Sequence, residues 1–190
     1  MAKIGAGHLC FAPWENGGDT TTAPTFKAGV SLNKLASANL TITYAEGEYY
    51  ADDGVAEEAR EFIRGDLETE IDRLEPAQAS TVFGSSYDEE TGLVDSTEDN
   101  APFGGIAYYQ TLIEEGKKSY RVRFYPKARG VLGADNATSK GSSITFAGEP
   151  LSFRVFRPDN GKWRITKYFD TLEAAVQYID TTLSVPASAS

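Results

Sequence analysis

The chain has one cysteine and one histidine among its 190 residues. The single cysteine, Cys10, excludes an internal disulfide and any zinc site built from several cysteines. His8 stands two residues earlier, so the two side chains would share a strand face and could touch one metal ion. Two ligands are too few to define a site, and we predict neither a metal nor a cofactor. Between Leu9 and Phe11, Cys10 is expected to be a small core residue.

Long apolar runs and an excess of basic residues are also absent. No stretch approaches transmembrane length, and residues 1–9 lack the apolar run of a signal peptide, so we expect folding in the cytoplasm. The net charge of −10 argues against nonspecific phosphate binding and against anionic membrane surfaces. An acidic protein can still meet DNA by repelling it, as the wall of a conduit does. The 41% hydrophobic content suffices for one domain with a sizeable core.

Recognisable catalytic motifs are missing too. A general base at His8 would need a partner that the sequence does not indicate. The acidic stretch from Asp88 to Asp99 lacks the spacing of an EF-hand, and no glycine-rich segment follows a strand and opens a helix. With 28 Asp and Glu residues, a pair that imitates a glycosidase dyad is expected by coincidence. We therefore predict that the protein is not an enzyme.

The most informative segment is an alternating run at residues 63–72. Side chains alternate across a strand, so one face would be buried and the other would present four carboxylates. Strands disfavour Asp and Glu, and like charges on one face repel, so this face should contact water. It is either an ordinary solvated face or the wall of a shared aqueous space. The two sets are Ile63, Gly65, Leu67, Thr69, Ile71 and Arg64, Asp66, Glu68, Glu70, Asp72.

The remaining pattern predicts a mainly β (α+β) fold, a β-sandwich or open barrel with a C-terminal flanking helix. We expect a loop-like N-terminal arm at 1–27 with one strand at Leu9–Ala12, a domain at 28–183 and a tail at 184–190. The domain would contain acidic loops at 46–61, with a helical turn at Val55–Ala59, and at 85–101. Further strands are predicted at Gly29–Leu32, Leu40–Tyr44, Phe103–Ile113, Lys118–Tyr125, Gly141–Ala147, Leu151–Arg157 and Lys162–Phe169.

Two helices have start and stop signals. Pro76 suits the first turn of a helix at Pro76–Phe83, and Gly84 suits its exit. A C-terminal helix is predicted to begin at an Asp170 cap, with Glu173 as its capping-box partner. Its apolar stripe would be Leu172, Val176, Ile179 and Leu183.

Several segments together resemble phage major tail proteins of the phi13 type, in the family's order over most of residues 28–183. The N-terminal pieces are Leu40-Thr41-Ile42-Thr43-Tyr44, Glu48-Tyr49-Tyr50-Ala51-Asp52-Asp53, Ala56-Glu57-Glu58 and Gly65 to Asp72. The C-terminal pieces are Phe103-Gly104-Gly105-Ile106-Ala107-Tyr108-Tyr109, Tyr120-Arg121-Val122-Arg123-Phe124-Tyr125-Pro126-Lys127, Thr138-Ser139-Lys140-Gly141-Ser142-Ser143-Ile144-Thr145-Phe146 and Phe169-Asp170-Thr171-Leu172-Glu173-Ala174-Ala175. Residues 1–27 and 85–101 are not clearly covered.

This resemblance implies the tail tube protein of a long, non-contractile (siphovirus) tail. Six subunits would close into a ring, and rings would stack into the conduit for genome ejection. The implied partners are further copies of the chain, a tape-measure protein, a tail terminator, a distal tail or baseplate protein, and passing DNA without specific binding. The implied location is the virion tail, assembled in the host bacterial cytoplasm.

The resemblance also suggests roles for particular residues. Asp66, Glu68, Glu70 and Asp72 would face the lumen, although another strand or the opposite face could line it instead. Contacts between subunits or rings are expected from the N-terminal arm, the two acidic loops and the basic pair of the hairpin. The candidate side chains are Tyr49, Tyr50, Asp52, Asp53, Glu57, Glu58, Asp88, Glu89, Glu90, Arg121 and Arg123.

Two other interpretations stay open. A tailocin or a type VI-like secretion particle uses a tube of the same fold, which the sequence separates poorly from a phage tube. A monomeric carbohydrate- or protein-binding β-sandwich would instead present a concave patch around Trp14 or Trp163. Both tryptophans are more typical of a core or a subunit contact.

Overall fold

The computed structural model describes residues 2–51, 54–133 and 148–186, with the backbone alone for residues 48–51 and 54–58. Its fold is mainly β and antiparallel, which confirms the predicted class. Neither helix in this described part is long and apolar enough to cross a membrane. The strands are β1 (Ala2–Asn16), β2 (Thr25–Phe26), β3 (Val30–Ser31), β4 (Leu35–Ala51), β5 (Gly54–Ile71), β6 (Ser86–Asp88), β7 (Gly92–Val94), β8 (Phe103–Glu114), β9 (Lys117–Val131), β10 (Glu149–Phe156) and β11 (Ile165–Phe169), and the helices are α1 (Pro76–Phe83) and α2 (Leu172–Thr182).

One large sheet contains nine of these strands. Its main path runs β2-β1-β8-β9-β10-β5-β4, while β3 pairs with β1 and β11 pairs with β9. The first half of β9 pairs with β11 and its second half pairs with β10. The small β6–β7 hairpin forms a separate two-stranded sheet.

The large sheet curls on itself. The rings of Phe11 in β1 and Phe153 in β10 stack with centroids 5.8 Å apart, although β8 and β9 separate their strands. Adjacent strands lie about 4.8 Å apart, so a flat sheet would place these two strands roughly 14 Å from each other. The curl encloses an inner core, which consists of Leu9, Phe11, Leu32, Leu35, Leu67, Ile71, Val82, Ile106, Tyr108, Tyr125, Ala128, Leu151, Phe153 and Val155.

Helix α2 covers a second core on the other face of β1, β8 and β9. Its buried members are Cys10, Ala12, Ala107, Val122, Phe124, Ala175, Ile179 and Leu183. Strands β1, β8 and β9 therefore contribute buried side chains to both cores. In contrast, β5 and β10 contribute to the inner core alone and keep their other face in contact with solvent.

Strand β5 shows the predicted alternation over most of residues 63–72. Gly65, Leu67, Thr69 and Ile71 are buried, and the opposite face is half-buried or exposed. Ile63 departs from the pattern, because its side chain is 51% exposed. The register of β5 with β4 shifts here, because consecutive residues of β4 lie opposite Arg64 and Phe62 and skip Ile63. Phe62 instead packs against the inner core, so Ile63 is the extra residue of a bulge and its side chain is left in solvent.

Both helices lie where the sequence predicts them. Helix α1 spans Pro76–Phe83, and Gly84 closes it with a positive φ of 78°. The predicted cap of α2 is wrong: Thr171, not Asp170, accepts a hydrogen bond from the backbone N–H of Ala174. The predicted stripe is only partly right, because Leu172 is exposed and Ala175 takes its place in the core.

Three predicted loop regions are corrected. The N-terminal segment is not loop-like, because all of Ala2–Asn16 forms β1. The predicted loop at 46–61 is instead the paired ends of β4 and β5, without a helical turn in its described part. The loop at 85–101 contains the β6–β7 hairpin.

Two predictions fall outside the described residues. They are the strand at Gly141–Ala147 and the end of the predicted tail, 187–190.

Gly130 offers a test of the packing between β9 and α1. A Cβ at this position would lie 2.6 Å from Val82 Cγ1 and 2.9 Å from the Val82 carbonyl oxygen. We expect Gly130→Ala to lower the free energy of unfolding by about 1–3 kcal/mol, measured by urea denaturation. Gly47→Ala is the matched control, because a Cβ there meets nothing within 4 Å. Equal destabilisation by both substitutions would contradict this packing.

Candidate functional site

The carboxylate row of β5, defined as Asp66, Glu68, Glu70 and Asp72, lies on the solvent-facing side of the sheet. Helix α2 covers β1, β8 and β9 but does not reach this strand. The row is flanked by polar side chains of β4 and by Ser152 and Arg154 of β10. The structure therefore brings all four predicted carboxylates onto one face. Neighbouring groups form ion pairs or hydrogen bonds with three of them.

Asp66 is paired with two arginines. Its Oδ1 accepts a hydrogen bond from Arg154 Nε at 3.1 Å, and its Oδ2 lies 3.3 Å from Arg64 Nε. The side chains of all three residues are between 36% and 44% exposed. Two guanidinium groups thus offset half of the formal charge of the row. The sequence alone did not indicate that Arg154, which lies on another strand, would be one of them.

Glu70 and Asp72 accept hydrogen bonds from backbone groups. Glu70 Oε1 accepts from the Gly148 N–H at 3.2 Å, and Asp72 Oδ1 accepts from the Lys34 N–H at 3.0 Å. These two carboxylates hold neighbouring chain segments against the end of β5, so they have a structural role as well as a charge.

Glu68 is exposed, and it is the member of the row that forms neither an ion pair nor a side-chain hydrogen bond among the described residues. Its cross-strand neighbours are Ser152 on β10 and Asn39 on β4. A shallow cleft beside it is bordered by Asp66, Arg154 and Val131. Glu68 is therefore the position at which the charge of this face can be changed with the least effect on packing.

The β4–β5 hairpin projects beyond the rest of the sheet. Strand β10 ends opposite Arg64, and past that point β4 and β5 pair only with each other among the described strands. Aromatic contacts support its base: Phe62 stacks on Trp163 at 4.2 Å, and the Arg60 guanidinium lies 4.0 Å above the Tyr44 ring. The projecting part contains Tyr49, Tyr50, Glu57 and Glu58, of which only the backbone is described, while Asp52 and Asp53 lie outside the described residues.

The acidic residues Asp88, Glu89 and Glu90 lie at the turn of the β6–β7 hairpin. Asp88 Oδ1 accepts hydrogen bonds from the backbone N–H groups of Glu90 at 2.8 Å and Thr91 at 3.3 Å. Asp88 therefore stabilises its own turn, whereas Glu89 and Glu90 are exposed. Within one chain, this turn is separate from the carboxylate row.

The two arginines of β9 are bound within the chain. Arg121 donates from Nε and Nη2 to Gln110 Oε1 at 3.0 and 2.6 Å, and Arg123 Nη1 donates to Thr166 Oγ1 at 2.7 Å. Burial lowers the pKa of Arg123, and the nearby Arg121 and Arg164 cations lower it further. Arg121, Arg123 and Arg164 thus form a partly buried basic cluster. Among the described residues, none of the three forms an ion pair with an acidic side chain.

Neither tryptophan forms an open platform for a sugar ring. The Trp14 indole N–H donates to the Pro126 carbonyl at 2.8 Å, and its ring packs against Phe103. The Trp163 ring is stacked on Phe62, with the Arg164 guanidinium 4.6 Å from its centroid. Both rings are half-buried in contacts within the chain.

The structure also joins two residues that sequence reasoning left apart. His8 Nε2 lies 2.6 Å from Asp180 Oδ1, although 172 positions separate them in the chain. Cys10 lies beside this pair and is fully buried. Burial, and then the negative charge of Asp180, raise the pKa of the Cys10 thiol to about 12, against a hydrogen bond with Ser31 that lowers it. No local sequence signal links β1 to α2, so this contact could not be foreseen.

The Asp66–Arg154 pair predicts a measurable coupling. A double-mutant cycle with Asp66→Asn and Arg154→Gln should give about 0.2–1 kcal/mol in urea denaturation, and the coupling should fall at high ionic strength. The Glu61–Arg157 pair, with side chains 71% and 55% exposed, is the matched control and should show a smaller coupling. No coupling for Asp66 and Arg154 would show that the arginine does not offset the charge of the row.

Comparison with models of protein families finds no match to this chain, and comparison with curated proteins finds no significant match. The function therefore has to be inferred from the sequence and the geometry together. Two features carry that inference, the carboxylate row of β5 and the projecting β4–β5 hairpin.

Proposed function

We propose that this chain is a structural protein, the major tail tube subunit of a long, non-contractile phage tail. The observation that carries the proposal is the placement of the carboxylate row beside β4, the last strand of the main sheet. Within the described residues, a sheet edge without a partner strand and an acidic solvated face thus lie next to each other. This is the arrangement that a ring with an acidic inner wall requires.

The edge of β4 supports assembly with further copies. Strand β4 is 17 residues long, and among the described residues β5 is its only partner. A long, unpaired edge promotes aggregation unless it is covered, and ring closure covers it by pairing with a neighbour. The curl of the sheet is also compatible with a β-sandwich or open barrel, which is the fold that we propose for a subunit of hexameric rings.

The charge of the carboxylate row supports a lumenal position. Six copies of a subunit with net charge −10 carry about −60 per ring, part of it on the outer surface. DNA phosphates that pass such a wall are repelled and find no site that traps them. At about 0.1 M ionic strength the Debye length is roughly 10 Å, so the repulsion extends well into a narrow channel.

The projecting hairpin supports contacts between stacked rings. It extends beyond β10 as a two-stranded ribbon, and an isolated ribbon of this kind is only marginally stable in water. In a tube it would be stabilised by packing on the next ring. The tape-measure protein, the tail terminator and the distal tail or baseplate protein are the further partners that this function implies, with the virion as its location.

Assembly is the first property to measure. We expect purified protein at high concentration to form hollow rings or tubes with a regular axial repeat in negative-stain electron microscopy. Uniform monomers, together with binding on a glycan array, would contradict the proposal and favour the monomeric binding module.

Charge reversal at Glu68 tests the position of the carboxylate row. Tubes of Glu68→Lys should bind a fluorescent DNA oligonucleotide that wild-type tubes exclude, and the bound DNA should be protected from nuclease because it lies in the lumen. Glu173→Lys, on α2, is the matched control with the same change in net charge. DNA that binds Glu68→Lys tubes but is digested would place the row on the outer surface.

A further inference from the structure

Three metal-ligating side chains from opposite ends of the chain meet at the rim of the helix-covered core. One ligand atom from each of His8, Cys10 and Asp180 lies within 4.8 Å of the other two. Cys10 is fully buried, whereas the side chains of His8 and Asp180 are 23% and 32% exposed. The cluster is therefore closed on the side of the core and open on the side of solvent.

The fold creates this cluster through an irregularity in β1. The pairing of β1 with β8 shifts register between Gly7 and Cys10, and His8 has a positive φ of 52°. Such a conformation is uncommon for a residue other than glycine. The shift occurs at the point where α2 crosses β1, with Ile179 packed in the core directly before Asp180.

We propose that His8, Cys10 and Asp180 form a binding site for a divalent transition-metal ion of the zinc class. An imidazole nitrogen, a thiolate sulfur and a carboxylate oxygen are all zinc ligands, and three protein ligands leave a fourth position for water. This position would lie on the exposed side of the cluster. The inference concerns binding and is independent of the proposed tube function.

The geometry needs only a small adjustment to accept the ion. In a tetrahedral zinc site, bond lengths of about 2.0–2.3 Å place the ligand atoms roughly 3.4–3.6 Å from one another. The His8–Asp180 contact of 2.6 Å would therefore lengthen by about 0.8 Å as a hydrogen bond is replaced by two metal bonds. The ligand atoms lie within 4.8 Å of one another, so the longest of the three separations would shorten by at most about 1.2 Å. Rotation of the partly exposed His8 and Asp180 side chains can supply these movements.

The charges of the cluster favour a cation over the bare side chains. A carboxylate stands beside a buried sulfur, and among the described residues no lysine or arginine forms an ion pair with Asp180. A divalent ion would neutralise both a thiolate and the carboxylate. It would also tie α2 to β1, two elements that lie at opposite ends of the chain.

Cobalt(II) is the direct spectroscopic probe of this site. The purified full-length protein, titrated with cobalt chloride, should bind one ion per chain and develop the thiolate-to-cobalt charge-transfer absorption in the near ultraviolet. Zinc chloride should abolish this absorption by displacement. At free zinc a hundredfold above Kd, the thermal midpoint should rise by about 5–10 °C.

Single substitutions at two of the three ligands distinguish binding at this site from nonspecific metal binding. Cys10→Ala should remove the charge-transfer absorption, and Asp180→Asn should weaken zinc binding at least about tenfold while it keeps a hydrogen-bond acceptor for His8. Glu173→Gln, another acidic residue on α2, should bind as the wild type does.

Two outcomes overturn the proposal, and the first does not depend on any variant. Absence of the charge-transfer absorption in the folded wild-type protein at saturating cobalt would exclude a thiolate ligand. Equal zinc affinity of the wild type and Asp180→Asn would exclude the carboxylate. In either case, the His8–Asp180 contact would be a hydrogen bond between α2 and β1 and nothing more.

Discussion

Helix α2 covers the outer face of only part of the large sheet, and this determines which strands can carry polar side chains. Helix α2 is 11 residues long, enough to cover β1, β8 and β9 but not β10, β5 and β4. Strands covered on both faces require apolar residues at nearly every position, as in the buried run from Gly104 to Tyr108. Strands covered on one face keep the other for polar side chains, and β5 places its carboxylates there.

The carboxylate row and the curled sheet therefore have a common origin. The curl brings β1 onto β10 and buries one face of β5 in the inner core, which leaves the acidic face as the only side that can remain in water. Arg64 and Arg154 reduce the repulsion at one end of the row, and backbone N–H groups do so at the other. Glu68, in the middle of the row, has neither kind of partner among the described residues, and the face as a whole keeps a net negative formal charge.

The sequence predicts those elements whose signals are local. The alternation from Gly65 to Ile71 identifies β5, and Pro76 with Gly84 defines α1 to the residue. The same reasoning fails where long-range pairing overrides local preference. Glycines near the N-terminus weaken the strand signal of β1, and acidic residues at 46–61 favour a loop, yet pairing with β8 and within the β4–β5 hairpin makes both segments strands. The cluster of His8, Cys10 and Asp180 has no sequence signal, because its third member is joined to the others only by the packing of α2.

The position of β1 in the sheet has a consequence for biosynthesis. Strand β1 pairs with the short strands β2 and β3 nearby in the chain, but along most of its length it pairs with β8, with Ala2 opposite Ile113. About a hundred residues must therefore leave the ribosome before β1 can pair with β8. During that interval the apolar run around Phe11 has no inner core to enter. Such nonlocal pairing slows folding, since the entropy of closing a long loop must be lost before the contacts form. The sheet of the nascent chain can therefore be completed only after β8 has been translated.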